Sequence, residues 1–458
     1  MEQHTCTTFL AGKDAMIDGS TVVCRVEDYS NDFDPQRFVV VKSADQPRHY
    51  ESKTTKFAID LPDNPLRYTS TPDADSSAGV FGASGINSAN VSMTATETIT
   101  SNPRILSLDP YNTENGIGEE DFLTLVLPYV KTAKQAVERV GELLTKYGTY
   151  EANGIAFGDQ NDVWYLETIG GHHWAAVRIP DDAYVIAPNR LNIAQFDFSA
   201  PDTLCSADLK ELIDHNQLNP ETGIYNLRLN FGSSSTRDAR YNNPRAWYVQ
   251  RQLSGEQSSQ PTDQMLPFIN HPQHKITIQE IKTLMSSHYQ GTDFDPYKRE
   301  KAPFRSIALN RNLELHILQI RNNVDPAISG IHWLAFGPNI VNAVVPFYAN
   351  IDNTPERYRD TQTKFSIQDV YWLNHVIMAI ADQHYQSVEP MIDDFEEKVM
   401  TQTLALQHKA DHEFNSHNDV SGFLTKVNDE MAKIAYQESI NLLGKLVEYG
   451  FKHARLQY

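Results

Sequence analysis

The sequence predicts an α+β protein in which layered sheets form one large domain and helices form a C-terminal region. Strand-like runs come first, then a helical segment, then further strands and finally a helical tail. The strand-like runs are short and turn residues separate them, which is typical of an antiparallel meander. The chain has no internal repeat at the periods of solenoid folds, so a repeat architecture is not expected.

Strands and turns dominate the first hundred residues. Residues 9–12 and 22–26 are short β-prone runs, and Asp18-Gly19 between them is a turn signal. Residues 91–99 alternate small apolar and hydroxyl side chains, as a half-buried strand does. Two more short strands are predicted at residues 37–43 and 56–61.

A helix is predicted next, and short strands follow it. Apolar residues between positions 136 and 147 recur at the spacing of one helical face. Thr132 can cap the start of this helix and Gly148 its end. Residues 154–187 then form short strands separated by turn residues, which favours an antiparallel meander.

The second half of the chain ends in predicted helices. Residues 252–274 are rich in Gln, Ser, Pro and His and predict a surface excursion, whereas residues 313–321 and 330–337 are strand-like. The tail from Ser366 onwards is predicted to be helical, with Ser366 and Asp369 as a capping box.

Composition argues against several classes of function. The 458 residues include 39 Lys and Arg against 59 Asp and Glu, and a net charge of -20 repels phosphate backbones, so we expect no nucleic-acid partner. The N-terminus lacks a signal-peptide pattern and no apolar run is long enough to span a membrane, which predicts a cytoplasmic protein without membrane association. The three cysteines, Cys6, Cys24 and Cys205, indicate a reducing compartment.

Cys6 lies close to the N-terminus, directly before a predicted strand. Most free cysteines are small buried hydrophobes, and on position alone that interpretation applies here. Cleavage of the Thr5–Cys6 bond would give Cys6 a free α-amino group, with a reference pKa of about 7.7–8.0. This amine could activate the thiol of its own residue, so that nucleophile and base belong to one residue.

The segment Arg25-Val26-Glu27-Asp28 ends the second predicted strand. A hairpin starting at Cys6 would bring this segment beside the thiol, where a carboxylate could hold the new ammonium and a guanidinium could favour the thiolate. Arg25 and Asp28 differ in parity, so we expect the strand to end or bulge between them. A solvated pair at a sheet edge is the alternative interpretation.

The histidines give no clear metal motif. His172 and His173 are adjacent in a predicted strand and would point to opposite faces, so they are not expected to chelate one ion. His408 and His412 could share a helical face, but the His-Glu-x-x-His order of zincins is not met.

Six separated stretches carry a resemblance to known proteins. They are CTTFLAGKDAMIDGST with CRVED, GINSANVSMTATETI, LDPYNTENGIGEEDF, VWYLETIGGHHWAAVRIPDDAYVIAPNRLNI, RYNNPRAW and GIHWLAFGPNIVNAVVPFY. In this order, across residues 6–348, they resemble the PepD-like dipeptidases. These are cysteine peptidases of the N-terminal-nucleophile (Ntn) hydrolases, and the wider family includes acylases of penicillin V and conjugated bile acids.

The resemblance implies an αββα Ntn-hydrolase sandwich of two antiparallel sheets with a helical C-terminal extension. It also implies self-processing that removes residues 1–5 as a propeptide and exposes Cys6. The catalytic domain would then comprise residues 6–365, and the helical C-terminal region residues 366–458.

The family's functional residues carry over by position. Cys6 is the expected nucleophile, and Asn189, at the end of a strand, the expected oxyanion donor. Arg245 matches the late arginine of the family, with Arg240 as an alternative. The Arg-x-x-Asp after the first hairpin falls on Arg25 and Asp28. The second oxyanion donor is expected among Thr96, Glu97 and Thr98, where the sequence departs from some acylases.

The implied function is hydrolysis of dipeptides through a thioester on Cys6, with no metal or organic cofactor. Small peptides are the expected substrates and a homo-oligomer is the expected assembly. Three alternatives stay open: an Ntn amidase for another small acyl-amide, a non-catalytic protein that keeps the fold, and a metallopeptidase built on His408 and His412.

Overall fold

The computed structural model describes residues 5–29, 33–255, 257–299 and 301–455. Of the predicted propeptide, residues 1–4 lie outside the described residues, as do the last three of the predicted helical region 366–458. The strands, in chain order, are β1 Thr5–Ala11, β2 Thr21–Asp28, β3 Val39–Val41, β4 His49–Glu51, β5 Ala58–Asp60, β6 Tyr68–Ser70, β7 Ser84–Ile86, β8 Ser92–Thr98, β9 Asn153–Gly158, β10 Val163–Ile169, β11 His173–Ile179, β12 Tyr184–Pro188, β13 Thr203–Cys205, β14 Ile269–Asn270, β15 Asn312–Ile320, β16 Gly330–Phe336 and β17 Val345–Tyr348. The helices are α1 Pro103–Leu106, α2 Glu119–Val126, α3 Ala133–Tyr147, α4 Leu209–His215, α5 Leu227–Phe231, α6 Thr236–Tyr241, α7 Asn243–Leu253, α8 Ile278–Met285, α9 Pro326–Ser329, α10 Glu356–Arg359, α11 Val370–Ala381, α12 Tyr385–Glu413 and α13 Val420–Lys452.

Two antiparallel sheets carry most of these strands. One has seven strands in the order β14-β12-β1-β2-β15-β16-β17, and the other has six in the order β13-β11-β10-β9-β8-β7. Neighbouring strands run antiparallel in both sheets. The predicted mixture of antiparallel sheets and a helical C-terminal region is therefore confirmed.

Three apolar clusters show what covers each face of the sheets. Leu10 and Val23 of the seven-stranded sheet share one cluster with Ala156 and Tyr165 of the six-stranded sheet, so these two faces meet. The opposite face of the seven-stranded sheet packs with α7, α8 and the C-terminal helices α11 to α13. The opposite face of the six-stranded sheet packs with α2 and α3.

The C-terminal helices also cover an edge of the larger sheet. The side-chain amide of Asn428, in α13, accepts from the N–H of Tyr348 and donates to its C=O, both at 3.0 Å. Tyr348 ends β17, the edge strand, so this amide takes the place of a neighbouring strand and leaves that stretch of edge closed to other chains.

Local sequence signals predict α3 well and α11 less well. Thr132 caps α3 by accepting from the N–H of Gln135, and Gly148 ends it at φ +71°. The N-cap of α11 is Asp369, whose carboxylate accepts instead from the N–H of Gln362. The predicted capping box of Ser366 and Asp369 is therefore wrong, because a preceding turn takes the carboxylate.

The excursion predicted at residues 252–274 is largely irregular where the structure describes it. It also contributes β14, which pairs with β12 at the edge of the seven-stranded sheet. This two-residue strand is too short to leave a period-two signal in the sequence.

Candidate active site

The hairpin of β1 and β2 places Cys6 opposite Glu27. Side chains two residues apart in a strand share a face, so Cys6 and Arg25, which pairs with Thr8, both point towards the six-stranded sheet. Arg25 Nη1 donates to Cys6 Sγ at 3.0 Å and to the C=O of Thr96 at 2.9 Å. The thiol itself donates to the same C=O at 3.4 Å. The predicted approach of Arg25 to the thiol is present in this geometry.

The Cys6 thiol is shut away from solvent in the chain that still carries Thr5. Burial raises the pKa of Cys6 well above its ordinary value, and the guanidinium of Arg25 acts in the opposite direction. The net shift is upward, so the thiol of this form is neutral near pH 7 and is not a ready nucleophile.

Asp28 lies on the other face of the hairpin. It is paired with Thr5 across the strands and accepts a hydrogen bond from the Thr5 hydroxyl. Its carboxylate also forms ion pairs with Arg305 and, at 3.2 Å, with Arg311. Asp28 is therefore directly beside the residue that processing would remove.

β2 runs without interruption to Asp28, so the predicted end or bulge between Arg25 and Asp28 is wrong. The irregularity lies in the neighbouring strand, where the register of β15 shifts between Asn312 and Glu314. Because β2 is regular, Arg25 and Asp28 do point to opposite faces, and each contributes to a different side of the N-terminal segment.

Asn189 directly follows β12 and its amide is held at both ends. Arg245 Nη2 donates to Asn189 Oδ1 at 2.8 Å, while Asn189 Nδ2 donates to Glu97 Oε1 at 2.7 Å and to the C=O of Thr98 at 2.9 Å. A guanidinium can only donate, so it fixes which end of the amide is oxygen and which is nitrogen. The two amide hydrogens therefore point towards β8.

Arg245 connects Asn189 to the first residues of β1. Its Nη1 donates to the C=O of Cys6 at 2.5 Å and to Thr7 Oγ1 at 2.7 Å. Burial, together with the nearby charge of Arg305, lowers the pKa of Arg245 to about 10. Arg240, the alternative from the sequence, is exposed. The geometry places Arg245 against Cys6.

Glu97 and Thr96 occupy the end of β8 that faces these groups. Glu97 Oε2 accepts from Thr8 Oγ1 at 2.9 Å, so the side chain links the two sheets. Burial raises the pKa of Glu97 to about 8, although the charge of Arg245 and the Thr8 hydrogen bond lower it. The hydroxyl of Thr96 is buried and has no hydrogen-bond partner within the described ranges.

Sequence reasoning missed several residues of this cluster. Thr8 was detectable, because period two puts it on the same face as Cys6. Arg305 and Arg311 lie in the irregular segment before β15, which no periodic signal relates to β2. Glu119, which lies 3.8 Å from Arg25, begins a helix that is distant in the sequence.

The two adjacent histidines behave differently from the prediction. His172 Nδ1 and His173 Nδ1 both contact the carboxylate of Asp109, at 2.8 and 2.7 Å. The expectation of opposite faces is wrong because His172 belongs to the turn before β11 and not to the strand. Across residues 5–29, 33–255, 257–299 and 301–455, no group of three or more His, Cys, Asp and Glu side chains is arranged to hold a metal ion.

Within the same described ranges, none of the helices combines the length and the apolar character needed to cross a membrane.

Comparison with known proteins adds an independent observation. Residues 5–398 match Peptidase family C69. The probable dipeptidase B of Lactococcus lactis subsp. lactis (strain IL1403) is 50% identical, over 99% of this chain and 97% of its own length. Dipeptidase A of Lactobacillus helveticus is 48% identical, over 100% of this chain and 99% of its own length. A probable dipeptidase of Salmonella dublin is 32% identical, over 75% of this chain and 80% of its own length.

Proposed function

The chain belongs to Peptidase family C69 and is a cysteine-type dipeptidase, and from this premise we propose that Cys6 is its nucleophile once residues 1–5 have been removed. The observation that carries the proposal is the contact of Arg25 Nη1 with Cys6 Sγ at 3.0 Å. Arg25 and Arg245 approach Cys6 from two sides, one at the thiol and one at the C=O. These positively charged groups favour a thiolate once the site is open.

Removal of residues 1–5 would change the chemistry of Cys6 in two ways. It creates an α-amine that can take the thiol proton, and it leaves that amine next to Asp28, which now binds the hydroxyl of Thr5. Asp28 would then stabilise the ammonium form. The same carboxylate is anchored by Arg305 and Arg311, so its position does not depend on the leaving segment.

Hydrolysis would proceed in two balanced steps. The thiolate sulfur of Cys6 bonds to the scissile carbonyl carbon, the C–N bond breaks, and the α-ammonium of Cys6 gives its proton to the departing amine. Water then attacks the carbonyl carbon of the thioester, and the amine of Cys6 takes one proton from this water. The C–S bond breaks, the resulting ammonium returns the proton to the sulfur, and the acid product leaves. No further oxidant, reductant or cofactor enters this balance.

Asn189 and Thr96 are the proposed oxyanion donors. In the chain that carries Thr5, both amide hydrogens of Asn189 are engaged, by Glu97 and by the C=O of Thr98, so one must turn to the substrate. The Thr96 hydroxyl has no hydrogen-bond partner among the residues that the structure describes, and it can supply the second hydrogen bond. The C=O of the same residue accepts the hydrogen bond of the Cys6 thiol. Thr98 would hold the amide through its C=O.

We also propose that the fold is the αββα sandwich of the Ntn hydrolases. Apolar contact between the two sheets and helices on both outer faces support this layering. The proposed division is a catalytic domain at residues 6–365 and a helical region at 366–458. A cytoplasmic location and a homo-oligomeric assembly stay predictions from the sequence.

Three cysteine variants test the nucleophile. Cys6→Ala is expected to keep residues 1–5 and to hydrolyse no dipeptide, whereas Cys24→Ala and Cys205→Ala are expected to be processed and active. Cys24 packs in the cluster beneath the C-terminal helices and Cys205 is half-buried in β13, so both are matched controls. Intact mass and dipeptide hydrolysis are the readouts. Hydrolysis by Cys6→Ala, or full activity of a chain that keeps Met1, would contradict the proposal.

A further inference from the structure

Three buried carboxylates raise the pKa of the Cys6 thiol, and one of them differs from the others in its contacts with cations. They are Glu27, Glu97 and Glu119. Arg25 lies 3.1 Å from Glu27 and 3.8 Å from Glu119, so both have a cation within ion-pair distance. None of the ion pairs within the described ranges includes Glu97, whose side chain contacts one hydroxyl and one amide.

The carboxylate of Glu97 has capacity for a cation. One oxygen accepts from Thr8 and the other from Asn189, and a carboxylate can accept about four hydrogen bonds in all. The side chain is 1% exposed, and a buried carboxylate without a paired cation is costly to keep ionised. A positively charged group that reached it would favour the ionised form and offset the cost of burial.

The position of Glu97 next to Asn189 indicates which cation that is. In a dipeptide, one carbon atom separates the free α-ammonium from the scissile carbonyl. A carbonyl oxygen held by the Asn189 amide therefore brings the ammonium close to Glu97 Oε1, which lies 2.7 Å from that amide nitrogen. We propose that Glu97 binds the free α-ammonium of the substrate and so restricts hydrolysis to peptides with an unblocked N-terminus.

This inference rests on the proposed function, since it needs the scissile carbonyl at Asn189. It also explains how an amide hydrogen becomes free. The ammonium has three N–H donors, so one of them can replace Asn189 on Glu97 Oε1 and release the amide to the developing oxyanion. An acyl-amide without an amine brings no cation to Glu97 and leaves the Asn189 amide bound to it. Both the binding and the turnover of such a compound are therefore weaker.

The test combines two enzymes with two substrates. Wild type and Glu97→Gln are assayed on one dipeptide and on its des-amino analogue, which lacks only the α-amine. We expect wild type to favour the dipeptide by at least about 100-fold in kcat/KM, because a site built for a polar group rejects an analogue without it. In Glu97→Gln this preference should fall below about 10-fold, mainly through loss of activity on the dipeptide.

Glu396→Gln is the matched control. Glu396 lies on α12, outside the site, and its carboxylate pairs with Lys282. The preference for the dipeptide should therefore stay unchanged in this variant. Intact mass checks that each variant has lost residues 1–5. The wild-type comparison alone also tests the inference, because it does not depend on how a variant folds or is processed.

Two outcomes would overturn the inference. One is a wild type that hydrolyses the des-amino analogue as well as the dipeptide. The other is an equal loss on both substrates in Glu97→Gln, which would make Glu97 a positioning residue for Asn189. A wild type that hydrolyses neither compound would contradict the proposed function, so the two failures can be told apart.

Discussion

The two ends of the space between the sheets are built from the same strands but have opposite chemistry. Four apolar side chains of β1, β2 and β15 fill one end, where they pack with the six-stranded sheet: Leu10, Val23, Leu318 and Ile320. On the same faces of the same strands, the other end carries six polar side chains: Cys6, Thr8, Arg25, Glu27, Glu314 and His316. All ten are buried, so the difference is not one of exposure.

Hydrogen bonds connect the members of the polar end. Arg25 Nε donates to Thr94 Oγ1 at 2.8 Å, and the Thr94 hydroxyl can donate to His316 Nε2, also at 2.8 Å. Nδ1 of His316 then donates to Glu314 at 2.8 Å. Burial lowers the pKa of His316 well below its ordinary value, so the ring is neutral and this direction of donation is consistent.

The comparison teaches that position within a fold does not decide whether a buried surface is a core or a site. Packing contacts at the apolar end act pairwise, whereas hydrogen bonds at the polar end form one connected network. Substitutions at the polar end should therefore affect several residues at once, and substitutions at the apolar end should stay local.

Arg25→Leu is expected to have the largest effect. It removes the buried cation that lies within ion-pair distance of Glu27 and Glu119. Breaking a buried ion pair by removing one partner typically costs about 3–5 kcal/mol of unfolding free energy. Cys6 also loses the group that favours its thiolate, so activity should be lost. Urea denaturation and intact mass are the measurements. A loss below about 1 kcal/mol would mean that the polar end is not a coupled network.

Asn189→Ala is expected to have a smaller and more selective effect. Removing one oxyanion donor typically lowers kcat by about 10²–10³, or about 2.7–4 kcal/mol in the barrier. The variant should still lose residues 1–5, wholly or nearly so. Single-turnover hydrolysis of a dipeptide by the mass-checked variant is the measurement, and an unchanged rate in a folded protein would remove Asn189 from the proposed site.

Much of this arrangement could be predicted from the sequence because the signals were local. Two β-prone runs with an Asp18-Gly19 turn between them predicted a hairpin that brings the segment from Arg25 to Asp28 beside Cys6, and β1 and β2 form this hairpin. The position of Asn189 after an apolar strand and Pro188 was likewise visible. Each of these signals depends on neighbours along the chain.

The rest could not be predicted because it depends on contacts between distant segments. Whether Arg240 or Arg245 approaches Cys6 is decided by the path of α6 and α7 across the sheet, which leaves Arg240 exposed. The ion pairs of Asp28 come from residues near position 300 that no periodic pattern relates to β2. The bulge expected in β2 lies in β15 because a register mismatch can be absorbed by either partner strand.

Ile320→Val is expected to have the smallest effect. Deleting one buried methylene from the apolar end typically costs about 0.5–1.5 kcal/mol of unfolding free energy. Ile320 pairs with Thr21, four residues along β2 from Arg25, and shares no hydrogen bond with the polar network. Activity per folded molecule should therefore equal that of wild type, as measured by dipeptide hydrolysis at a temperature well below unfolding.

In the double variant with Arg25→Leu, the two losses of unfolding free energy should add to within about 0.5 kcal/mol, because distant sites without shared partners are independent. A larger deviation in denaturant midpoints would show that the two ends are coupled, and the contrast between core and site would then have to be abandoned.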